Sequence, residues 1–295
     1  MIKLLLNNVE MNLNRKRFPD MATGIEIVGQ IPTRVETATI DARFDGVASP
    51  NDTLFDIAQA VDVVRSINST AVIRLFIPYL PYARQDRRMT KHDAFSLKVY
   101  GNLLNSLKID TIMCFDAHSD VAAGVIDNLI VIGQERIMNI SEVSHALTVN
   151  DPLVVAPDMG AVKKIHKAVA NMNRAESPVI MDKEREPSTG KIGNHKVIFG
   201  AERVEGRNCL IIDDICDGGR TFISAAAELK HNGAASVSLY VTHGIFSQGV
   251  DALLGGGIDK VFTTDSLIDT GTLASEKVRV FKCNDILSAF SMGRI

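Results

Sequence analysis

The chain has 295 residues, 46% apolar and 23% charged, with no Trp. That length corresponds to about two domains, and the composition excludes a disordered tail, a collagen-like fibre and a mucin stalk. Lys and Arg number 32 against 35 Asp and Glu, a net charge of −3 with no basic excess to favour nucleic acid. Aromatics at 5% also weaken any base-stacking surface. Apolar runs all fall short of the ~18 residues that span a bilayer. The start, MIKLLLNNVE, is too briefly apolar for a signal peptide, whose core needs about 7–15 residues. Cys114, Cys209, Cys216 and Cys283 form no C-x-x-C pair, so they read as reduced packing thiols in a cytoplasmic protein.

In chain order, short apolar runs lead into polar loops and then into helical patterns. After Ser49-Pro50-Asn51, Asp52 is the expected N-cap of a helix whose apolar face is Leu54, Ile57, Ala58, Val61 and Val64. Ala71 to Ile77 precedes PYLPYARQDRR, Thr111 to Phe115 precedes DAHSD, and Leu153 to Ala156 precedes PDMGAV. Cys209 to Ile212 precedes DDICDGGRT, Ser236 to Val241 precedes THG, and Lys260 to Phe262 precedes TTDS. Such runs fit strands of parallel sheets, and their alternation with helices predicts an α/β fold with crossover connections. Val149-Asn150-Asp151-Pro152 reads as a turn, which places a boundary near residues 140–152. The expected division is residues 1–146 and 147–295, two α/β domains, with one large doubly wound sheet as the alternative.

Open α/β sheets bind ligands at the carboxyl ends of their strands. Asp116, His118, Asp158, Asp213, Asp214, Asp217 and His243 all follow apolar runs there. The sharpest signal is CLIIDDICDGGRTF, Cys209 to Phe222: a strand, two acids, a Gly-Gly turn and a helix starting near Thr221. Helix N-termini offer backbone N–H groups to anions, and glycines permit close approach. Thr221 adds a hydroxyl and Arg220 a charge. Asp213 and Asp214 would repel a bare phosphate, so they suit sugar hydroxyls or Mg²⁺. A ribose 5-phosphate pocket meets both requirements.

This loop resembles the type I phosphoribosyltransferase motif. Together with PYLPYARQDRR, FDAHSD, VVAPDMGAV, DKER and THGIFS, in order, it resembles the ribose-phosphate diphosphokinases, the phosphoribosyl pyrophosphate synthetases. The resemblance spans roughly residues 50–270, while residues 1–48 match poorly. It implies two tandem phosphoribosyltransferase-like domains, each a mainly parallel sheet flanked by helices, with an active site between them. It implies Mg²⁺ as cofactor and ATP as co-substrate, and transfer of the β,γ-diphosphoryl group to the C1 hydroxyl of ribose 5-phosphate, leaving AMP. Arg84, Gln85, Asp86, Arg87 and His118 match the ATP-binding positions. His118, Asp116 and Asp158 match the metal-associated positions. Asp158, Asp213, Asp214, Asp217, Gly218, Gly219, Arg220 and Thr221 match the sugar-phosphate site. Lys183 and Arg185 match a cationic pair on a mobile loop that closes over the triphosphate, and they are the expected catalytic residues. By composition alone, DKEREPSTGKIGNHK reads as a solvated loop. The resemblance further implies a homo-oligomer.

Three features depart from the family pattern. Gly218 and Arg220 stand where the loop would read Thr and Gly. The same substrate is one reading; a bulkier, more anionic 5-substituent such as ADP-ribose, linking the enzyme to NAD metabolism, is the other. Only Phe18-Pro19-Asp20 and a displaced Glu26 remain of an adenine-contacting Phe-x-Asp-Gly-Glu segment. MTKHDAFSLK replaces a basic, Ser-containing regulatory loop, which implies weak ADP inhibition. A phosphoribosyltransferase that consumes the diphosphate would not need Arg84, Gln85, His118, Lys183 or Arg185. A noncatalytic subunit would not need Lys183 and Arg185. His195, His231 and His243 read as structural or exposed, although His243 follows a strand near the expected cleft.

Overall fold

The computed structural model describes residues 2–44, 49–171, 176–185, 192–267 and 275–293. The chain divides into two compact units, Met1–Ile132 and Gly133–Ile295. Each carries a seven-stranded sheet of its own, so the single-sheet alternative does not hold.

In the first unit, β1 (Ile2–Leu6), β2 (Val9–Arg17) and β3 (Thr23–Val28) form an antiparallel meander. β4 (Thr37–Ala42) pairs antiparallel with β1, then runs parallel to β5 (Val72–Phe76). β6 (Thr111–Phe115) and β7 (Leu129–Ile132) continue in parallel, giving the order β3-β2-β1-β4-β5-β6-β7. The meander escaped the sequence reading because β2, VEMNLNRKR, is polar and almost wholly exposed. Parallel strands are covered on both faces and read as apolar runs; an antiparallel strand with a solvated face does not.

Helix α1 (Pro50–Ile67) follows β4. Ser49, not Asp52, is its N-cap: Ser49 Oγ accepts from the Asp52 N–H at 3.1 Å, and the Asp52 carboxylate accepts from the Ser49 N–H at 3.4 Å. Asp52 is thus the far member of a capping box, with Pro50 at the first helical turn where its missing N–H does no harm. The buried stripe is Thr53, Asp56, Ile57, Ala60, Val61 and Val64, displaced from the expected face, since Leu54 and Ala58 are only partly covered. Asp56 is tolerated there because Arg15 Nε lies 2.7 Å from its carboxylate. α2 (Ser96–Ser106) and the short α3 (Val121–Val125) complete this unit.

In the second unit, α4 (Gln134–Met138) and α5 (Ser141–Thr148) precede β8 (Leu153–Ala156). α6 (Val162–Asn171) leads to β9 (Val179–Arg185) and β10 (Ile192–Phe199), an antiparallel pair. Much of the polar stretch expected to be loop is therefore strand, held by backbone pairing that needs no apolar side chains; residues 186–191 lie outside the described ones. β11 (Asn208–Cys216), β12 (Ser236–Gly244), β13 (Lys260–Thr264) and β14 (Val278–Phe281) run parallel, in the order β10-β9-β8-β11-β12-β13-β14. α7 (Arg220–His231), α8 (Val250–Gly255) and α9 (Cys283–Ser291) lie between or after them. Leu153, Val155, Ile211, Val237, Leu239 and Val261 build the core, against which Phe222, Leu229 and Leu253 pack. Among the described residues, no helix is long and apolar enough to cross a membrane.

Candidate functional site

In the first unit the candidate residues gather at the carboxyl ends of β5 and β6. Tyr82 adopts a left-handed conformation (φ 61°), and its hydroxyl donates to Asn51 Oδ1 on α1 at 2.6 Å. This anchors the turn that carries Arg84 and Gln85, both exposed. Asp86 is buried, and Arg87 grips it with Nε and Nη2 at 2.8 and 3.0 Å. The Arg87 hydrogen bonds, aided by Ser119 and by the nearby charge of His118, hold the Asp86 carboxyl at about 2. Arg87 is therefore committed to shaping the loop through Asp86. Arg84 is exposed on the same turn.

Asp116 directly follows β6 in a left-handed conformation (φ 33°), buried, with its N–H donating to the Ile132 carbonyl at 2.9 Å. A non-glycine residue in that region stores strain, which concentrates at functional sites. His118, two residues on, is exposed.

In the second unit, β11 runs further than its apolar run suggested. Asp213 and Asp214 lie within the strand, and His243 lies within β12. Burial and the adjoining Asp214 charge push the Asp213 carboxyl well above its ordinary value, with Asp158 adding to the effect. Asp158 is thus close enough to interact electrostatically with Asp213. Its Oδ1 accepts from the N–H groups of Gly160 and Ala161, at 3.0 and 3.2 Å, in the turn before α6. Lys164 Nζ lies 3.9 Å from Asp214, a neighbour that the sequence motifs did not reveal.

The Gly-Gly turn ends at Gly219, the N-cap of α7, with φ 77°. A Cβ there would sit 2.7 Å from Leu253 Cδ2, so glycine is required by backbone and by space together. Arg220 opens the helix and is exposed, with Thr221 next and half-buried. The first N–H groups of a helix lack intrahelical partners, and here they adjoin the glycine turn. Asp217 is held from the loop after β12: Ser247 Oγ donates to its carboxylate at 2.7 Å, and the Ser247 N–H donates to its carbonyl at 3.2 Å. Ser247 lay in a quoted motif, but its contact with Asp217 joins distant segments and had no local signal.

The thiol of Cys216 is buried and pushed up to about 12 by burial and by Asp217 and Asp213, in keeping with a packing thiol. His243 is buried with Nδ1 2.8 Å from Ser266 Oγ, and His195 is buried on β10. Lys183 and Arg185 lie two positions apart on β9, opposite His195 and Ile192 of β10; their side chains lie outside the described residues.

Among the described residues, no three His, Cys, Asp or Glu side chains converge to hold a metal ion. Asp116 and His118 belong to the first unit and Asp158 to the second.

The chain matches the model of the N-terminal domain of ribose phosphate pyrophosphokinase over residues 4–107, and that of the phosphoribosyl synthetase-associated domain over residues 153–295. The first match extends the resemblance into residues 1–48, which the motifs had left out. A ribose-phosphate pyrophosphokinase of Granulibacter bethesdensis is 32% identical over 90% of this chain and 81% of that one. That of Chromobacterium violaceum is 33% identical over 82% and 72%. The crystal structure of phosphoribosylpyrophosphate synthetase from Mycobacterium smegmatis superposes with a TM-score of 0.78 at 22% identity, covering 98% of this chain and 93% of that one. It supports the fold.

Proposed function

Since the chain belongs to the ribose-phosphate pyrophosphokinase family, we propose that it transfers the β,γ-diphosphoryl group of ATP to the C1 hydroxyl of ribose 5-phosphate. The observation that carries this reading is the paired acids of β11 beside a glycine turn and helix start, Asp213 to Thr221. The acids accept hydrogen bonds from ribose hydroxyls, and the N–H groups of Arg220 and Thr221 receive the 5-phosphate. Asp217, clipped by Ser247, lies at the rim of the same turn.

In the transfer, the C1 oxygen bonds to the β-phosphorus, the bond from that phosphorus to the α,β-bridging oxygen breaks, and AMP leaves with that electron pair. The C1 hydroxyl proton goes to solvent. Such chemistry needs alignment and charge neutralisation more than covalent catalysis. Arg84 and Gln85 bind ATP, Arg84 at phosphate and Gln85 at the base edge. Asp86 fixes Arg87 and the turn. Asp116 and His118 in the first unit, and Asp158 in the second, are each proposed as Mg²⁺-associated residues; Mg²⁺ when bound would offset polyphosphate charge. Lys183 and Arg185 are the proposed catalytic pair, stabilising charge on the transferring group.

A homo-oligomer and a cytoplasmic location accompany this reading. Half-exposed Phe18 and exposed Met21, between β2 and β3, give self-association an apolar surface, which sedimentation would test.

A second acceptor, ADP-ribose giving ADP-ribose 1-diphosphate, is supported by Gly218 and Arg220. A Cβ at Gly218 would meet nothing closer than 3.6 Å, so the loop has room for a side chain it does not carry. Arg220 adds an exposed charge at the helix start.

The test is AMP release from Mg-ATP that depends on added sugar phosphate. Lys183→Ala is expected to lower it about 10²–10³-fold, the range for loss of a group aimed at transition-state charge. Release unchanged in that variant would refute the assigned pair.

A further inference from the structure

Gln134 opens α4 and is only 3% exposed. Its Nε2 donates to the Asp213 carbonyl at 2.5 Å and to Thr242 Oγ1 at 3.2 Å. A carbonyl can only accept, so the amide orientation is determined. The Thr242 carbonyl in turn accepts from Thr264 Oγ1 at 2.7 Å and Ser266 Oγ at 3.4 Å, and Ser266 Oγ lies 2.8 Å from His243 Nδ1. Thr242, Thr264 and Ser266 are fully buried. Buried side chains thus tie together the carboxyl ends of three neighbouring strands.

The location of the contact gives it consequence. β11 pairs with β8 only as far as Ile211, whereas its pairing with β12 runs on to Cys216. The segment bearing Asp213 and Asp214 is therefore flanked by a paired strand on one edge. The Asp213 carbonyl belongs to the rigid peptide plane that joins Asp213 to Asp214. Holding that oxygen fixes the plane from which both carboxylates project.

We propose that Gln134 is a positioning residue, which by anchoring the Asp213–Asp214 peptide aims both carboxylates at the hydroxyls of the acceptor sugar. This rests on the reading of the acids as sugar ligands. A misplacement of about 1 Å can cost 10²-fold in a reaction that depends on alignment, so a partial loss of aim is expected to act first on the sugar.

The experiment is steady-state kinetics of AMP release, varying ribose 5-phosphate and ATP separately, on wild type, Gln134→Met, Thr242→Val and Asp213→Asn. Methionine keeps the length and loses the donor. Gln134→Met is expected to raise KM for ribose 5-phosphate about tenfold and to leave KM for ATP within about twofold. Thr242→Val removes the second acceptor and leaves the Asp213 contact, so its sugar KM is expected to stay within about twofold. If Gln134→Met fails to fold, Gln134→Leu, also apolar and without a donor, carries the test, with the same separation of the two KM values expected. A lowered melting temperature with neither KM changed, or with both raised alike, would overturn the proposal and leave Gln134 a structural residue. Asp213→Asn separates the two levels. If its sugar KM is unchanged, the reading of the acids fails; if it rises while Gln134→Met is silent, only the role of Gln134 fails.

Discussion

Replacing Gly219 by Ala and, separately, Gly218 by Ala sets two adjacent glycines against each other. Gly219 has φ 77°, where an L-residue is disfavoured by about 1–2 kcal/mol. Its new Cβ would lie 2.7 Å from Leu253 Cδ2 and 3.2 Å from Leu253 Cγ. Leu253 is buried on α8 and cannot swing into solvent, so it must leave its rotamer, at about 0.5–1.5 kcal/mol. The two effects sum to about 1.5–3.5 kcal/mol. At about 2–4 °C per kcal/mol for a unit of this size, the melting temperature should fall by about 3–14 °C. Gly218 is not among the left-handed glycines, and its Cβ would meet only Gln248 at 3.6 Å and Ser247 at 3.7 Å. Gly218→Ala should therefore be neutral or stabilise by about 0.4–1 kcal/mol through the unfolded chain. Thermal unfolding by circular dichroism reads both. Gly219→Ala melting like wild type, or Gly218→Ala melting lower than Gly219→Ala, would refute this account of the turn.

Asp213→Asn should stabilise the fold while weakening sugar binding. A raised carboxyl pKa means that stability is present below the ordinary carboxylate range and is lost as pH rises through the raised value. The variant's advantage in melting temperature should therefore grow with pH, and an advantage that shrinks with pH would contradict the burial argument. Asp86 has the opposite sign: its stabilisation is present above 3.8 and lost as pH falls toward about 2. Arg87→Ala should move acid unfolding to higher pH, which an acid titration followed by fluorescence of a bound dye would detect.

What was legible in the sequence was what burial writes into it. Thr111 to Phe115 and Leu153 to Ala156 coincide with β6 and β8, because strands covered on both faces must be apolar. Lys183 and Ile192 sit on paired strands that composition assigned to loop, because backbone pairing at a sheet edge tolerates polar side chains. The glycine turn before α7 was legible because glycine has few substitutes at a φ like that of Gly219. Asp213 and Asp214 were read as following the strand instead of lying in it, since acids in a buried strand contradict propensity; Lys164 stands 3.9 Å from the Asp214 carboxylate, and Gln134 holds the Asp213 carbonyl. Those two neighbours, and Ser247 on Asp217, join distant segments and left no local pattern to read. At the N-cap of α1, Ser49 and Asp52 are both capping types, and only the hydrogen bonds decide between them.

The most direct measurement is the mass of the product formed from Mg-ATP with ribose 5-phosphate and, in parallel, with ADP-ribose, alongside the AMP released. The expected result is one AMP for each ribose 5-phosphate converted, with the sugar gaining a diphosphate at C1. Conversion of ADP-ribose alone would assign Gly218 and Arg220 to a larger acceptor. AMP release with neither acceptor consumed would contradict the proposed diphosphoryl transfer.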